Sequence, residues 1–167
     1  MADHESIQKL AEALVKELTE AGKAVATVES CTGGWIAKAI TDIAGSSAVY
    51  GYGIVSYANG AKESLCGVQN KTLEDHGSVS AEVVTEMAQG TLSLSGADIA
   101  VAVSGVAGPS GGSKEKPVGT VWFAWAVRDG ADATVDTRCE HFTGDRELIR
   151  EASVAYALQG VRERIES

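Results

Sequence analysis

The stretch Val25-Ala-Thr-Val-Glu-Ser-Cys-Thr-Gly-Gly-Trp35 constrains the fold of this chain more than any other. Ala24–Val28 is small and β-branched, the composition of a buried strand. Ser30–Gly34 is short, polar and glycine-containing, which marks a turn. Trp35, Ile36, Ala39, Ile40 and Ile43 then recur at the spacing of one helical face, with a stop at Gly45. A strand therefore runs through a hydroxyl-rich turn into a helix. Backbone N–H groups left open at such a helix start can hold an anion or a developing oxyanion. Ser30, Cys31 and Thr32 set three candidate nucleophiles beside them. The same residues also suit a plain helix cap, since Ser and Thr are common caps and glycine suits a tight turn.

The rest of the chain supplies the partners such a unit needs. Residues 4–22 carry Ile7, Leu10, Ala11, Leu14 and Leu18 on one stripe and end at Gly22, a helix. Ala48–Tyr57 reads as a strand whose Gly51 and Gly53 suggest a bulge or a close approach by another backbone or a ligand. Asn59 is placed to cap a short helix over about 60–66, closed by Gly67, and Ser80 to cap a longer one over about 81–95. Ile99–Ser104 is a short buried strand that opens into the glycine-rich segment Gly105–Pro117. Val118–Val127 and Thr134–Phe142 form strands about a turn at Asp129-Gly130. A last helix runs from about Asp145 to Ile165. With no linker and no repeat, residues 1–167 are expected to form one α/β domain, three-layered, with a mixed β-sheet flanked by helices.

Bulk properties narrow the function classes. With 44% hydrophobic but only 5% aromatic residues, the core must be built from Ala, Val, Ile and Leu. A net charge of −9 argues against a nucleic-acid binder that works by phosphate neutralisation, though not against a small anionic ligand held at a local positive site. The polar, acidic start Met-Ala-Asp-His-Glu-Ser is no signal peptide, and no apolar run approaches the roughly 18 residues of a membrane span. The chain is expected to be cytoplasmic. Cys31, Cys66 and Cys139 are widely spaced, which suggests neither a disulfide framework nor a metal site.

Several familiar devices are missing from the pattern. Gly105–Lys116 contains no Walker sequence, Gly51-Tyr-Gly53 lacks the third glycine of a dinucleotide fingerprint, and no Gly-x-Ser-x-Gly elbow occurs. His4, His76 and His141 are isolated, so no zinc site is expected, and His76 is read into a polar loop beside Gly77. What remains is a set of hydroxyls short of histidine bases. Activating a serine without histidine calls for a lysine of lowered pKa, in some cases relayed through a tyrosine. Lys62 would fall in the first turn of its helix, where the macrodipole disfavours a cation and favours a neutral amine. Tyr57 precedes it at the end of the glycine-interrupted strand. A solvated lysine and a core-edge ring fit the same spacing. Arg146 likewise lies at the start of the last helix, where it can share an anion with the helix N-terminus or pair with Asp145 or Glu147. The Gly105–Pro117 segment can wrap a ligand, act as a lid, or merely connect.

Six motifs follow one another in order: Glu29-Ser-Cys-Thr-Gly-Gly34, Tyr57-Ala-Asn-Gly-Ala-Lys62, His76-Gly-Ser-Val-Ser80, Ser104-Gly-Val-Ala-Gly-Pro-Ser-Gly-Gly112, Lys116-Pro-Val-Gly-Thr-Val121 and Gly144-Asp-Arg146. Together they resemble the CinA C-terminal domain family, the nicotinamide-nucleotide amidohydrolases, from about Ile7 to Ile165. The resemblance implies hydrolysis of the carboxamide of nicotinamide mononucleotide to nicotinic acid mononucleotide and ammonia, without metal or cofactor, in pyridine-nucleotide recycling. It implies Ser30 as nucleophile, with Tyr57 and Lys62 as a proton relay. The expected supporting groups are Cys31, Thr32, Gly33 and Gly34 for the oxyanion, and Ser104, Gly105, Gly108, Gly111, Gly112 and Arg146 around the nucleotide. It further implies a homo-oligomer; because the chain begins directly with the helix before the core strand, a stand-alone amidase is expected, and its charge and hydropathy lead to the expectation of neither nucleic acid nor membrane as partner. The chain departs from the family pattern at Ser104, where threonine is usual, and at Ala58, where serine is usual; neither is an implied catalytic residue. A catalytically silent nucleotide-binding or regulatory module of the same fold is the alternative.

Overall fold

The computed structural model describes residues 4–166, with side chains from Ser6 onward. In chain order the elements are α1 (His4–Ala21), β1 (Val25–Glu29), α2 (Trp35–Thr41), a 3-10 turn (Ser46–Ala48), β2 (Tyr50–Val55), α3 (Asn59–Cys66), α4 (Asn70–His76), α5 (Ala81–Ser95), β3 (Ile99–Gly105), β4 (Thr120–Asp129), β5 (Asp132–His141) and α6 (Arg146–Arg162). The sheet order is β2-β1-β3-β4-β5. β1 lies parallel to both β2 and β3, whereas β3/β4 and β4/β5 are antiparallel, so the sheet is mixed as expected.

Side-chain alternation along the central strands gives the two faces of the sheet different characters. Val25, Val101, Val103, Val121, Phe123 and Trp125 point to one face, where α1, α2 and α6 cover them. Ala26, Ala100, Ala102, Ala124 and Ala126 point to the other, against α5 and the short α3 and α4. The large face holds a cluster of aromatic rings, with Phe123 and Trp125 stacked at 5.7 Å. The alanine face lets α5 lie close to the strands. Close packing recurs between helices: a Cβ on Gly90 of α5 would sit 1.8 Å from the carbonyl oxygen of Cys66.

The structure adjusts several sequence expectations. Gly51 is the extra residue of a bulge, because Val25 pairs with Tyr50 and Ala26 with Tyr52. Gly53 admits the ring of its own strand neighbour: the Tyr50 hydroxyl, bonded to Thr27, occupies the space a Cβ would need. The expected helix cap at Asn59 shifts by one residue to Ala58, and the Asn59 side chain caps nothing. His76 ends a helix, α4, rather than lying in a loop; Asn70–His76 is too short and polar for its period to stand out. The Gly105–Pro117 segment is tied rather than loose. Ser113 and Lys116 exchange backbone and side-chain bonds, and Lys116 Nζ donates to the His76 carbonyl at 2.8 Å. Among the described residues no helix is long and apolar enough to cross a membrane.

The seam between α6 and the large face yields a stability test. A Cβ on Gly160 would fall 2.2–2.6 Å from Trp125 ring atoms, whose indole N–H is bound to the Ala157 carbonyl at 3.2 Å. Gly160→Ala should therefore destabilise the fold by about 1–3 kcal/mol, despite alanine's better helix propensity, as read from denaturant midpoints.

Candidate active site

Three parallel strands end together where the chain changes direction across the sheet. β2 lies to one side of β1 and β3 to the other, so the carboxyl end of β1 is a topological switch point. Ser30 occupies that end, buried, with its N–H on the Val103 carbonyl of β3 at 3.0 Å. The N–H of Ser56, just past β2, reaches the Glu29 carbonyl at 2.9 Å. Both neighbouring strands thus fix the backbone on which the Ser30 hydroxyl stands.

Lys62 reaches the same point from α3. Only 1% of the residue is exposed, and its Nζ lies 2.9 Å from Ser30 Oγ, 2.8 Å from the Ser56 carbonyl and 3.1 Å from the Tyr57 carbonyl. Burial pushes the Lys62 pKa below its usual value, more than the nearby Cys66 and Cys31 raise it. In the neutral amine, the two hydrogens satisfy the two carbonyls, leaving the lone pair aimed at the Ser30 hydroxyl. That is the geometry of a base acting on a nucleophile.

The turn after Ser30 is held from below and from the side. From below, the fully buried Glu29 carboxylate accepts from Thr32 Oγ1 at 2.6 Å and from the amides of Ile36 at 2.8 Å and Ala37 at 3.0 Å. Burial raises the Glu29 pKa, while these donors and the Gly34 amide oppose the rise. From the side, Arg150 of α6 donates to the carbonyls of Cys31 at 3.0 Å and Thr32 at 3.1 Å, with its guanidinium over the Trp35 ring. Within the turn, Gly33 N–H bonds the Ser30 carbonyl and Trp35 N–H the Thr32 carbonyl. The first amides of α2 are therefore committed to Glu29, which corrects the expectation that this helix start holds an anion. Of the expected oxyanion group, Gly33 and Gly34 are spent on the turn itself; the amides of Cys31 and Thr32 hold no hydrogen bond to another described residue. Gly33 and Gly34 instead supply left-handed backbone, with φ of 60° and 98°.

The other expected residues divide. Burial pushes the Cys31 thiol up to about 11, leaving it a protonated, inert neighbour of Ser30. Tyr57 touches Lys62 through its carbonyl; the residue is 61% exposed and its phenol meets Arg146 Nη2 at 3.1 Å. Arg146 also holds the Gly108 carbonyl at 2.7 Å, so one guanidinium joins α6, the glycine segment and the β2–α3 connection. Asp145 caps the start of α6 through the Leu148 amide at 2.9 Å. Ser104 follows Val103 at the end of β3, beside Ser30, and its hydroxyl donates to the Ser78 carbonyl at 2.8 Å. Gly105 packs on Val121, and Gly108 on Val118, where a Cβ would come within 2.7 and 2.5 Å. A Cβ on Gly112 would lie 2.8 Å from the Val118 amide, and Gly111 has a φ of 88°. These glycines shape the segment. Among the described residues no group of three His, Cys, Asp or Glu side chains is placed to share a metal.

Two residues of the site escaped the sequence reading. Glu29 had a signal, since an ionisable residue closes an otherwise apolar strand. Arg150 had a weaker one, lying one helical turn beyond Arg146.

A domain of this topology with a serine–lysine pair at the strand switch point defines a class, and comparison with known proteins specifies the family. A profile described as the CinA C-terminal domain matches residues 7–165, and the chain belongs to that family. It is 54% identical over 159 residues to the nicotinamide-nucleotide amidohydrolase PncC of Escherichia coli K12, covering 95% of this chain and 94% of that one. It is 50% identical to a putative competence-damage inducible protein of Symbiobacterium thermophilum, over 93% of this chain and 38% of the longer relative. Among solved structures, the competence/damage inducible protein CihA of Agrobacterium tumefaciens superposes with a TM-score of 0.91 at 43% identity, covering 97% and 96% of the two chains. A CinA superfamily protein of Klebsiella pneumoniae gives 0.90 at 39% identity, covering 96% and 98%.

The contacts of Tyr57 separate two roles for it. Tyr57→Phe removes the phenol but keeps the carbonyl on Lys62, so kcat for amide hydrolysis should fall less than about tenfold, the worth of one exposed hydrogen bond. A loss of several orders of magnitude would restore the phenol to the proton path.

Proposed function

We propose that this protein hydrolyses the carboxamide of nicotinamide mononucleotide to the carboxylate and ammonia through an acyl-enzyme on Ser30. The observation that carries this reading is the buried contact between Lys62 Nζ and Ser30 Oγ, with two carbonyls orienting the amine. The name of the Escherichia coli relative, at 54% identity over nearly the whole of both chains, supports the substrate.

The chemistry follows from the geometry. Neutral Lys62 takes the hydroxyl proton as Ser30 Oγ bonds to the amide carbon, and the carbonyl electrons move onto oxygen. The amides of Cys31 and Thr32 receive that oxyanion, each well-aimed donor contributing about 3–4 kcal/mol. The C–N bond breaks as Lys62 returns the proton to the leaving nitrogen, so ammonia departs and an ester remains on Ser30. Lys62 then takes a proton from water, whose oxygen attacks the ester, and Ser30 leaves with that proton. One water is consumed, and the enzyme is regenerated. The phosphate is placed against the outward N–H groups of Arg146, at the edge of the glycine segment.

Ammonia release from nicotinamide mononucleotide by the purified protein tests the reading, with Ser30→Ala as the inactive control; binding without turnover would mark a silent module. The base must be neutral to act, and its pKa is depressed. The rate should therefore rise with pH and level off below the usual lysine range, and be lost as pH falls through that pKa. Lys62→Arg, which cannot deprotonate under these conditions, should lose activity by orders of magnitude across the whole range. Near-normal kcat in Lys62→Arg would exclude the lysine base.

If Arg146 reads the phosphate, nicotinamide riboside should be a poor substrate. A charge-assisted contact worth about 1.5–3 kcal/mol corresponds to roughly one to two decades in kcat/KM. Arg146→Ala should impose that loss on the mononucleotide beyond any loss on the riboside. Equal losses on both would reduce Arg146 to a tie between segments.

A further inference from the structure

Oxyanion stabilisation in this turn depends on how strongly two backbone amides are polarised, and both belong to peptide groups that lead back to one side chain. The N–H of Thr32 shares its peptide group with the Cys31 carbonyl, which accepts from Arg150 Nε at 3.0 Å. The N–H of Gly33 shares its peptide group with the Thr32 carbonyl, which accepts from Arg150 Nη2 at 3.1 Å. That Gly33 N–H donates in turn to the Ser30 carbonyl at 3.1 Å, and the Ser30 carbonyl belongs to the peptide group that carries the N–H of Cys31. A charged donor on a carbonyl draws electrons through the peptide resonance and makes the attached N–H a stronger donor, and such effects accumulate along a chain of bonds. Arg150 thus acts on the Thr32 amide directly and on the Cys31 amide through one intervening bond.

We infer that Arg150 is a positioning residue of the reaction, a guanidinium supplied by α6 that polarises and fixes the two oxyanion amides without touching substrate. This inference rests on the serine acyl-transfer reading above. The site is built for the purpose. Trp35 stacks on the guanidinium at 5.6 Å, and Nη2 lies alongside Gly33, whose φ of 60° sets the turn. Arg146, one turn earlier on α6, bonds the Gly108 carbonyl and the Tyr57 phenol instead, so the two arginines serve different parts of the site.

An effect confined to the transition state lowers kcat and leaves KM nearly unchanged. Arg150→Gln should therefore reduce kcat for nicotinamide mononucleotide by roughly tenfold to a hundredfold, short of the 10²–10³ lost when a donor is removed outright. KM should stay within about twofold. Arg150→Lys keeps the charge but can serve only one carbonyl well, and should fall between wild type and Arg150→Gln. A readout independent of turnover comes from backbone NMR: the ¹⁵N resonances of Thr32 and Gly33 should move in both variants, with a smaller shift at Cys31. An unchanged kcat would overturn the inference, as would a raised KM with kcat intact. So would a kcat that returns to the wild-type value on cooling below each variant's own melting transition, since that is the mark of structural support alone. Failure of the underlying reading looks different: the wild-type protein would release no ammonia, or Ser30→Ala would release as much, and the role of Arg150 would fall with it.

Discussion

A lysine enclosed by the fold, with no carboxylate bonded to it among the described residues, is the constraint on which the site depends. Burying an ammonium costs several kcal/mol unless a counter-ion meets it, and Lys62 meets only two carbonyls and a hydroxyl. The fold therefore favours the neutral amine, and a neutral amine held by two carbonyls has one direction left for its lone pair. The expected origin of this bias was the helix dipole at the start of α3. Burial is the larger cause, and the start of α3 serves mainly to deliver the side chain inward.

Around that lysine the two ionic groups of the turn divide the labour. Glu29 takes up the N–H groups at the head of α2, so they are satisfied in the absence of any ligand. Arg150 takes up carbonyls on the other side of the same turn. A carboxylate below and a guanidinium beside hold five residues in a conformation that two left-handed glycines make accessible. The amides that remain open are the pair immediately after the nucleophile.

Much of this was legible along the chain, because it is local. Strand, turn and helix in 25–41 follow from composition and period, and the β4–β5 hairpin from its turn residues. Gly51 announced its bulge. What could not be read are relations across the sequence. Arg150 lies 118 and 119 residues from the carbonyls it binds, and no period links them. The resemblance implies Tyr57 in a proton relay; in the structure its backbone carbonyl meets Lys62 and its phenol meets Arg146, and a motif does not say which end of a residue faces which partner. The bond from the Ser104 hydroxyl to the Ser78 carbonyl, 26 residues away, is another relation that no period announces.

The dependence of the turn on α6 has a bearing on synthesis. Ser30 and Lys62 leave the ribosome long before residues 146–162, so a nascent chain holds both residues while the carbonyls of Cys31 and Thr32 still lack their guanidinium. Domains complete their packing as whole units, and here the docking of α6 closes the large face of the sheet and orders the turn after Ser30 in the same event. The conformation of that turn is thereby coupled to the arrival of a helix made more than a hundred residues later.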